Sequence, residues 1–336
     1  MSFSHLLRCT TIVGLLAATT CRANEAFFSK DGESVTFVSL FNTDSILRLD
    51  LKTKKVEAIA LGSAVKGQDI VSLTSGADGE LLFLTEKAAW VHDAKGTRKL
   101  CGMGSAAYGS GLAAAPAAAA NLTDWLFIAG PRSEKGASAE NTFHCRKPGE
   151  KAFQPVFCRR VNSVWAGTFA SDGRFFFAGE GDLWEGGFDP GEAGGAVATL
   201  NGVRIAPLAM MNTDAANGGN LWVAQIMPAG KSLYVLLRGH HMGELLRLPI
   251  NPVPALNEKS GASGTLGEHY AYLARSLASV QSIVTGADDI TASAANEVNG
   301  QELLFYRTGI GDGRRGLFIW DKATGKAEQV AVEPSL

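Results

Sequence analysis

The fold this chain predicts is an all-β closed ring of about six four-stranded blades, a β-propeller, with about seven blades as the alternative. Two recurring phrases and the composition predict it. The first phrase is a Gly, usually preceded by Asp or Asn, that opens a short apolar strand. It appears as Asp31-Gly32 before Val35-Thr36-Phe37-Val38, Asp78-Gly79 before Leu81-Leu82-Phe83-Leu84, and Asp172-Gly173 before Phe175-Phe176-Phe177. Fainter copies are Ala229-Gly230 before Leu233-Tyr234-Val235 and Asn299-Gly300 before Leu303-Leu304-Phe305-Tyr306. Asp124-Trp125-Leu126-Phe127-Ile128 fills the gap between the second and third. The spacing starts at roughly 45 residues, which is that of propeller blades.

The second phrase is a polar turn after a later strand: Asp50 to Lys55, Asp93 to Lys99 and Asp321 to Lys326. Asp hydrogen-bonds its own backbone and Gly accepts positive φ, so such turns join the two outer strands of a blade. The composition agrees. The chain has 336 residues with 39 Gly and 11 Pro, which suits many short strands joined by turns, and a closed all-β ring of this size is one domain.

Taken in order, the first blade reads as Ala26-Phe27-Phe28, Val35 to Leu40, Ile46 to Leu49 and Val56 to Ala60. The last has its own inner and outer strands, so no strand is exchanged where the ring closes. The third blade carries a long polar loop from Gly130 to Asn141, and the fourth is compact. A helical insertion is expected at about 257–285, because Tyr270, Leu273, Leu277 and Val280 recur at helical spacing. Ala113 to Ala120 is broken by Pro116 and reads as a loop or a single turn, not a binding element.

Residues 1–23 are a separate object. Arg8, the apolar run Ile12 to Ala18 and the small Ala23 form the pattern of a secretory signal peptide, leaving residues 24–336 as the propeller. No later stretch is long and apolar enough to span a bilayer, so the expected location is secreted or periplasmic. Removing the signal leaves Cys101, Cys145 and Cys158; Cys145 and Cys158 flank the turn Lys147-Pro148-Gly149-Glu150 and are the candidate disulfide, with three buried thiols as the alternative.

The repeat resembles the propeller repeats of the TolB and WD-like class. The resemblance rests on Lys30-Asp31-Gly32, Asp78-Gly79, Ser171-Asp172-Gly173 and the turns at Asp50 and Asp321, and it covers nearly the whole mature chain. It implies radial sheets around a channel, with function free to vary. The paired Gly-His and Trp-Asp signature of true WD repeats does not recur; Trp320-Asp321 occurs once.

Function is bounded more loosely. Charged residues are 19% and the net charge is −2, so no basic excess exists to counter phosphates, and nucleic acid is excluded as an expected partner. In a propeller with blade strands lettered A to D outward, the B–C loops converge on one face. The ligand-binding candidates there are Arg132, Glu180, Asp182, His240, His241, Asp312 and Arg315, a mixed-sign set suited to a protein, peptide or glycan. No cofactor is expected. The weak metal candidates are Glu180, Asp182, His240 and His241, since a metal wants three or four such ligands. The oxygen-rich turns Gly179 to Asp182 and Gly309 to Gly313 leave calcium open, without the alternating Asp/Asn series of an EF-hand. Gly230-Lys231-Ser232 opens a strand, not a helix, so it is no phosphate loop.

Two readings follow. One is a non-catalytic binding or scaffold module using the B–C loop face. The other is a lactonase-like, metal-dependent hydrolase with a site in the central channel, for which Glu180, Asn162 and Asp312 are the residues on offer.

Overall fold

A computed structural model describes residues 25–104, 110–119, 121–130, 142–158, 164–179, 182–189, 199–206, 222–238, 243–250, 280–284, 290–308 and 316–334. These residues form twenty-four strands in six blades. Blade 1 holds β1 (Ala26–Phe28), β2 (Ser34–Val38), β3 (Ile46–Asp50) and β4 (Val56–Ile59). Blade 2 holds β5 (Ile70–Ser75), β6 (Leu81–Thr85), β7 (Ala88–Asp93) and β8 (Gly96–Gly102). Blade 3 holds β9 (Ser110–Ala114), β10 (Leu126–Gly130), β11 (Thr142–Arg146) and β12 (Gln154–Cys158). Blade 4 holds β13 (Val164–Phe169), β14 (Phe175–Gly179), β15 (Asp182–Asp189) and β16 (Thr199–Ala206). Blade 5 holds β17 (Trp222–Ala229), β18 (Ser232–Arg238), β19 (Gly243–Pro249) and β20 (Gln281–Val284). Blade 6 holds β21 (Ala292–Val298), β22 (Gln301–Thr308), β23 (Gly316–Asp321) and β24 (Lys326–Val332).

Each blade is an antiparallel meander whose strands pair in sequence order. Blades 1 and 6 each keep all four of their own strands, as the sequence predicts. The signal segment and the helical stretch expected within 257–285 lie outside the described residues. The end of that insertion is corrected: Gln281–Val284 is the outer strand of blade 5, paired with β19.

The recurring Gly is explained by backbone geometry. Gly32, Gly79, Gly173, Gly230 and Gly300 all have positive φ in the turn between strands A and B. Gly32, Gly79 and Gly173 each donate their N–H to the carbonyl three residues earlier, on Ser29, Gly76 and Ala170. In the A–B turn of blade 3 no Gly is present, and Asp124 takes the left-handed conformation instead, at φ 63°. Asp and Asn tolerate that region better than other side chains. The outer turns behave as their Asp residues predict. Asp50 Oδ1 accepts the Thr53 N–H at 2.6 Å, Asp93 Oδ1 that of Lys95 at 2.8 Å, and Asp321 Oδ1 that of Ala323 at 2.8 Å.

Strand period 2 distributes the core. Every B strand sends alternate side chains to the two neighbouring blades. Leu82 and Leu84 pack on blade 3, whereas Leu81 and Phe83 pack on blade 1. Phe175 and Phe177 face blade 3, and Phe176 and Ala178 face blade 5. Leu304 and Tyr306 face blade 5, and Phe305 faces blade 1. Six apolar clusters result, one in each seam of the ring. Phe127 is centred in the largest aromatic group, with ring centroids 4.4 Å from Phe188 and 5.2 Å from Phe169.

The seams differ in their polar ties. Blade 2 is laced to blade 3 by the Gly102 N–H donating to the Lys151 carbonyl at 3.0 Å. Blade 3 is laced to blade 4 where the end of β12 leaves β11 and pairs in parallel with β16, Phe157 opposite Thr199 and Cys158 opposite Leu200. That register disposes of the expected disulfide. Cys145 is a free, buried thiol opposite Gln154, and the outer strand carries Cys158 away toward blade 4.

Candidate functional site

The meander places A–B turns on one end of the ring and B–C loops on the other. On the A–B end the inner strands enclose a bowl of about 690 Å³ around the axis. All six blades contribute: Phe27 to Lys30, Leu73 to Ala77, Ala114 to Ala118, Thr168 to Asp172, Gln225 to Gly230 and Ala294 to Glu297. Its lip is made of exposed turn residues, chiefly small ones: Ala77, Ala117, Ala118, Ser171 and Gly230, with Lys30, Asp172 and Glu297 between them. Small residues at this lip follow from the tight turns. At Gly173, a Cβ would come within 2.9 Å of the Ala118 backbone, so two neighbouring turns touch main chain to main chain.

A second concavity of about 960 Å³ runs over the A–B turns of blades 1 to 3 and the C–D turn of blade 2. It shares Phe27, Ser29, Lys30, Ser75, Gly76, Ala77, Ala114 and Ala115 with the bowl, so the two are continuous. Its walls carry both signs: Arg48, Lys95, Arg98 and Arg146 against Asp31, Asp78, Glu80, Asp93 and Asp124. Part of this charge is internally matched. Arg98 pairs with Asp93 at 2.7 Å, and Arg146 Nε donates to the Glu150 carbonyl at 3.0 Å. The Ser29 hydroxyl and the Glu33 N–H donate to Asp31 and hold its carboxyl below the usual carboxylate range. Arg98 does the same for Asp93, helped by the Lys95 N–H. These carboxylates stay charged through mildly acidic pH.

Hydroxyls and amides supply the remaining chemistry of the bowl. Ser29, Thr74, Ser75, Thr168, Ser171 and Asn296 line it. Gln225 is already engaged across the blade 5–6 seam: its amide donates to the Ser293 carbonyl at 2.7 Å and accepts from the Ser293 hydroxyl at 2.8 Å. The two described free thiols offer no nucleophile near neutral pH. Burial pushes Cys101 up and Cys145 up to about 12. Among the described residues no three His, Cys, Asp or Glu side chains converge as a metal-ligand group.

Of the B–C loop candidates, Arg132, Glu180, His240, His241, Asp312 and Arg315 lie outside the described residues, as does Asn162. Asp182 is described: it opens β15 opposite Gly179 in a two-residue hairpin and is buried, 6% exposed. Where the B–C end of blades 1 and 2 is described, its polar groups serve the loops themselves. Asp44 accepts the Gly67 N–H at 2.8 Å, Asn42 donates to the Ser45 hydroxyl at 2.9 Å, and the Thr43 hydroxyl bonds the Asp69 carboxylate. Sequence reasoning does not single out the A–B end, and it reads Ala113 to Ala120 as a loop; Ala114, Ala115, Ala117 and Ala118 form part of the bowl wall. The signal is present in the Asp-Gly pairs, because each marks an A–B turn and the small residues before it must ring the axis.

The sequence matches no family model and no curated protein. Among solved structures the chain is similar to TolB from Acinetobacter baumannii, with a TM-score of 0.54 and 12% identity over 90% of this chain and 66% of that one. It is also similar to a calcium-binding protein, regucalcin, from Agrobacterium tumefaciens, with a TM-score of 0.50 and 10% identity over 86% of this chain and 83% of that one. A luciferin-regenerating enzyme gives a TM-score of 0.51 and 9% identity over 88% of each chain. The chain thus spans just under two thirds of the TolB it resembles. At these identities the likeness is one of fold: the protein is a six-bladed β-propeller, and TolB is similar to it in fold.

Proposed function

We propose that this chain is a secreted or periplasmic, non-catalytic binding or scaffold module that engages a protein, peptide or glycan on a propeller face. One observation carries the reading: the continuous bowl and groove on the A–B end, to which all six blades contribute, with small residues at the lip and charges of both signs along the groove walls. A lip of Ala, Ser and Gly lets an extended chain approach the backbone closely. Hydroxyls and amides inside offer both donors and acceptors without a charge that must be neutralised. Concavities of this size are typical of ligand sites. The B–C loop residues Arg132, Glu180, His240, His241, Asp312 and Arg315 are the sequence's candidates for a second surface. The location rests on the signal-peptide pattern at residues 1–23 and on the TolB-like architecture. No helix among the described residues is long and apolar enough to cross a membrane.

A photo-reactive residue placed at Ala77 tests the seating. With the full chain expressed in its own cell, Ala77 is expected to cross-link a partner, and a control position on the outer strand, Lys326, is not. Equal cross-linking from both, or cross-linking only from Arg315, would move the site off the bowl. Metal content by elemental mass spectrometry tests the non-catalytic half. A stoichiometric divalent ion together with chelator-sensitive lactone hydrolysis would replace the binding reading with the hydrolase.

A further inference from the structure

The seam between blades 6 and 1 is where the ring closes, and it is held differently from the seams of blades 2 to 4. Its centre is Arg307, on β22 and 1% exposed. The guanidinium donates to the Val38 carbonyl at 2.6 Å, to Glu333 Oε2 at 3.0 Å and, through Nε, to the Thr291 hydroxyl at 2.8 Å. It also lies 3.6 Å from Glu25 Oε2. Glu333 Oε1 then accepts from the Ser39 hydroxyl at 2.9 Å and the Leu40 N–H at 2.8 Å. Glu25 immediately precedes the first strand and Glu333 immediately follows the last. One buried cation therefore gathers both ends of the propeller and the B–C corner of blade 1.

The outer edge of the same seam, beyond the packed Val56, Val330 and Ala331, is exposed. Residues 326 to 329 of β24 are exposed, and Val332 is 51% exposed. The cross-seam ion pair there, Lys54 to Glu328 at 2.7 Å, joins two solvent-exposed side chains, and such pairs contribute little. The seams from blade 2 to blade 4, by contrast, carry main-chain pairing.

We infer that the C-terminal strap at Glu333 is a releasable latch, and that the ring opens at the blade 6–blade 1 seam when the strap leaves Arg307. Opening there parts the inner strands β1 and β21, which face each other across the seam, while blades 2 to 4 stay joined through their backbone. The strap acts by satisfying a charge that burial otherwise penalises: removing Glu333 takes from Arg307 the nearer of its two carboxylates, at 3.0 Å against 3.6 Å for Glu25.

Hydrogen exchange on the full chain tests this. The variants are Glu333→Ala, a chain ending at Val332, and the milder Ser39→Ala, which deletes one strap hydrogen bond, together with the Phe41 and Asn42 N–H bonds to the same hydroxyl, and leaves the charges paired; Lys54→Ala is the surface control. Exchange in β1, β2, β21 and β22 is expected to accelerate on the order of a hundredfold in Glu333→Ala and in the shortened chain. Ser39→Ala should accelerate the same strands less, β6, β10 and β14 should keep their protection in every variant, and Lys54→Ala should change nothing. Loss of protection spread evenly over all six blades, or unchanged protection of β1 and β21 in the shortened chain, would overturn the latch. If Glu333→Ala does not fold, the strand pattern in Ser39→Ala decides, and an acceleration in it that is not confined to blades 1 and 6 counts against the proposal.

Discussion

Tyr234 of blade 5 donates its hydroxyl to Glu302 Oε2 of blade 6 at 2.9 Å, and both side chains are buried. Lys322 reaches the other carboxylate oxygen at 2.7 Å, and Arg247 approaches from blade 5 at 3.4 Å. Blade 6 is thus tied by charge on both of its seams, to blade 5 through Glu302 and to blade 1 through Arg307. Tyr234→Phe removes one bond to a carboxylate that keeps its two cations. It is expected to cost about 1.5–3 kcal/mol in denaturant unfolding. Glu302→Ala strips the buried hydroxyl and both cations of their acceptor and should cost more, about 3–5 kcal/mol.

The same pair sets a pH dependence. Burial pushes Glu302 upward, but hydrogen bonds from Lys322 and Tyr234 outweigh it and leave the carboxyl below its ordinary value. A carboxyl depressed by folding contributes stability that is present above its unfolded pKa and lost as pH falls through the folded one. Burial and the bond to Glu302 push Tyr234 up, so its contribution is present below the ordinary tyrosine pKa of about 10 and lost at higher pH. Unfolding midpoints measured across pH should fall on the acid side below about pH 4.5 and on the alkaline side above about pH 10. In Tyr234→Phe the alkaline loss should shrink.

The turn Gly residues separate backbone strain from crowding. Gly79 has φ +84° with open space where a Cβ would stand, whereas Gly173 has φ +90° with the Ala118 backbone 2.9 Å from that position. Gly79→Ala should cost about 1–2 kcal/mol from strain alone. Gly173→Ala should cost a further 1–3 kcal/mol, roughly, because backbone must move. Asp124→Gly runs the other way. It relieves the left-handed Asp of blade 3 and should be neutral or stabilising by up to about 1 kcal/mol. Thermal melts of the three variants check the order.

Phe127 tests the seam cores. Its ring meets Phe188, Phe169 and Phe175 between blades 3 and 4. Phe127→Ala should cost about 3–5 kcal/mol in equilibrium unfolding, by lost burial and the cavity left behind.

Much of this fold is legible in the sequence because its determinants are local. A tight turn needs a residue that accepts positive φ, and a B strand buried on both faces reads as a continuous apolar run; Asp78-Gly79 with Leu81 to Leu84 shows both within one short stretch. The polar ties are not legible, because they join residues remote in sequence. Nothing in the neighbourhood of Arg307 announces that Glu25, Val38 and Glu333 surround it. Glu302 and Tyr234 read as ordinary strand residues for the same reason. The disulfide expectation fails on register: a turn between Cys145 and Cys158 brings Gln154, not Cys158, opposite Cys145. The candidate site escapes sequence reasoning because charged loops draw the eye, whereas the lip of the bowl is chiefly small residues, such as Ala77 and Ser171, whose only conspicuous trait is their position before an Asp-Gly turn.

The central claim is that a partner seats in the A–B bowl, and one binding comparison tests it most directly. Ligands selected on the full chain from a displayed random-peptide library and a glycan array are titrated against two variants. One is Ala77→Arg with Ala117→Arg and Ser171→Arg, all exposed lip positions. The other is His240→Ala with His241→Ala and Arg315→Ala on the B–C loops. The account predicts that affinity falls about tenfold or more, roughly 1.4 kcal/mol, in the first variant and is unchanged in the second. Ligands that ignore the lip arginines, or that are lost only with the B–C set, would contradict it.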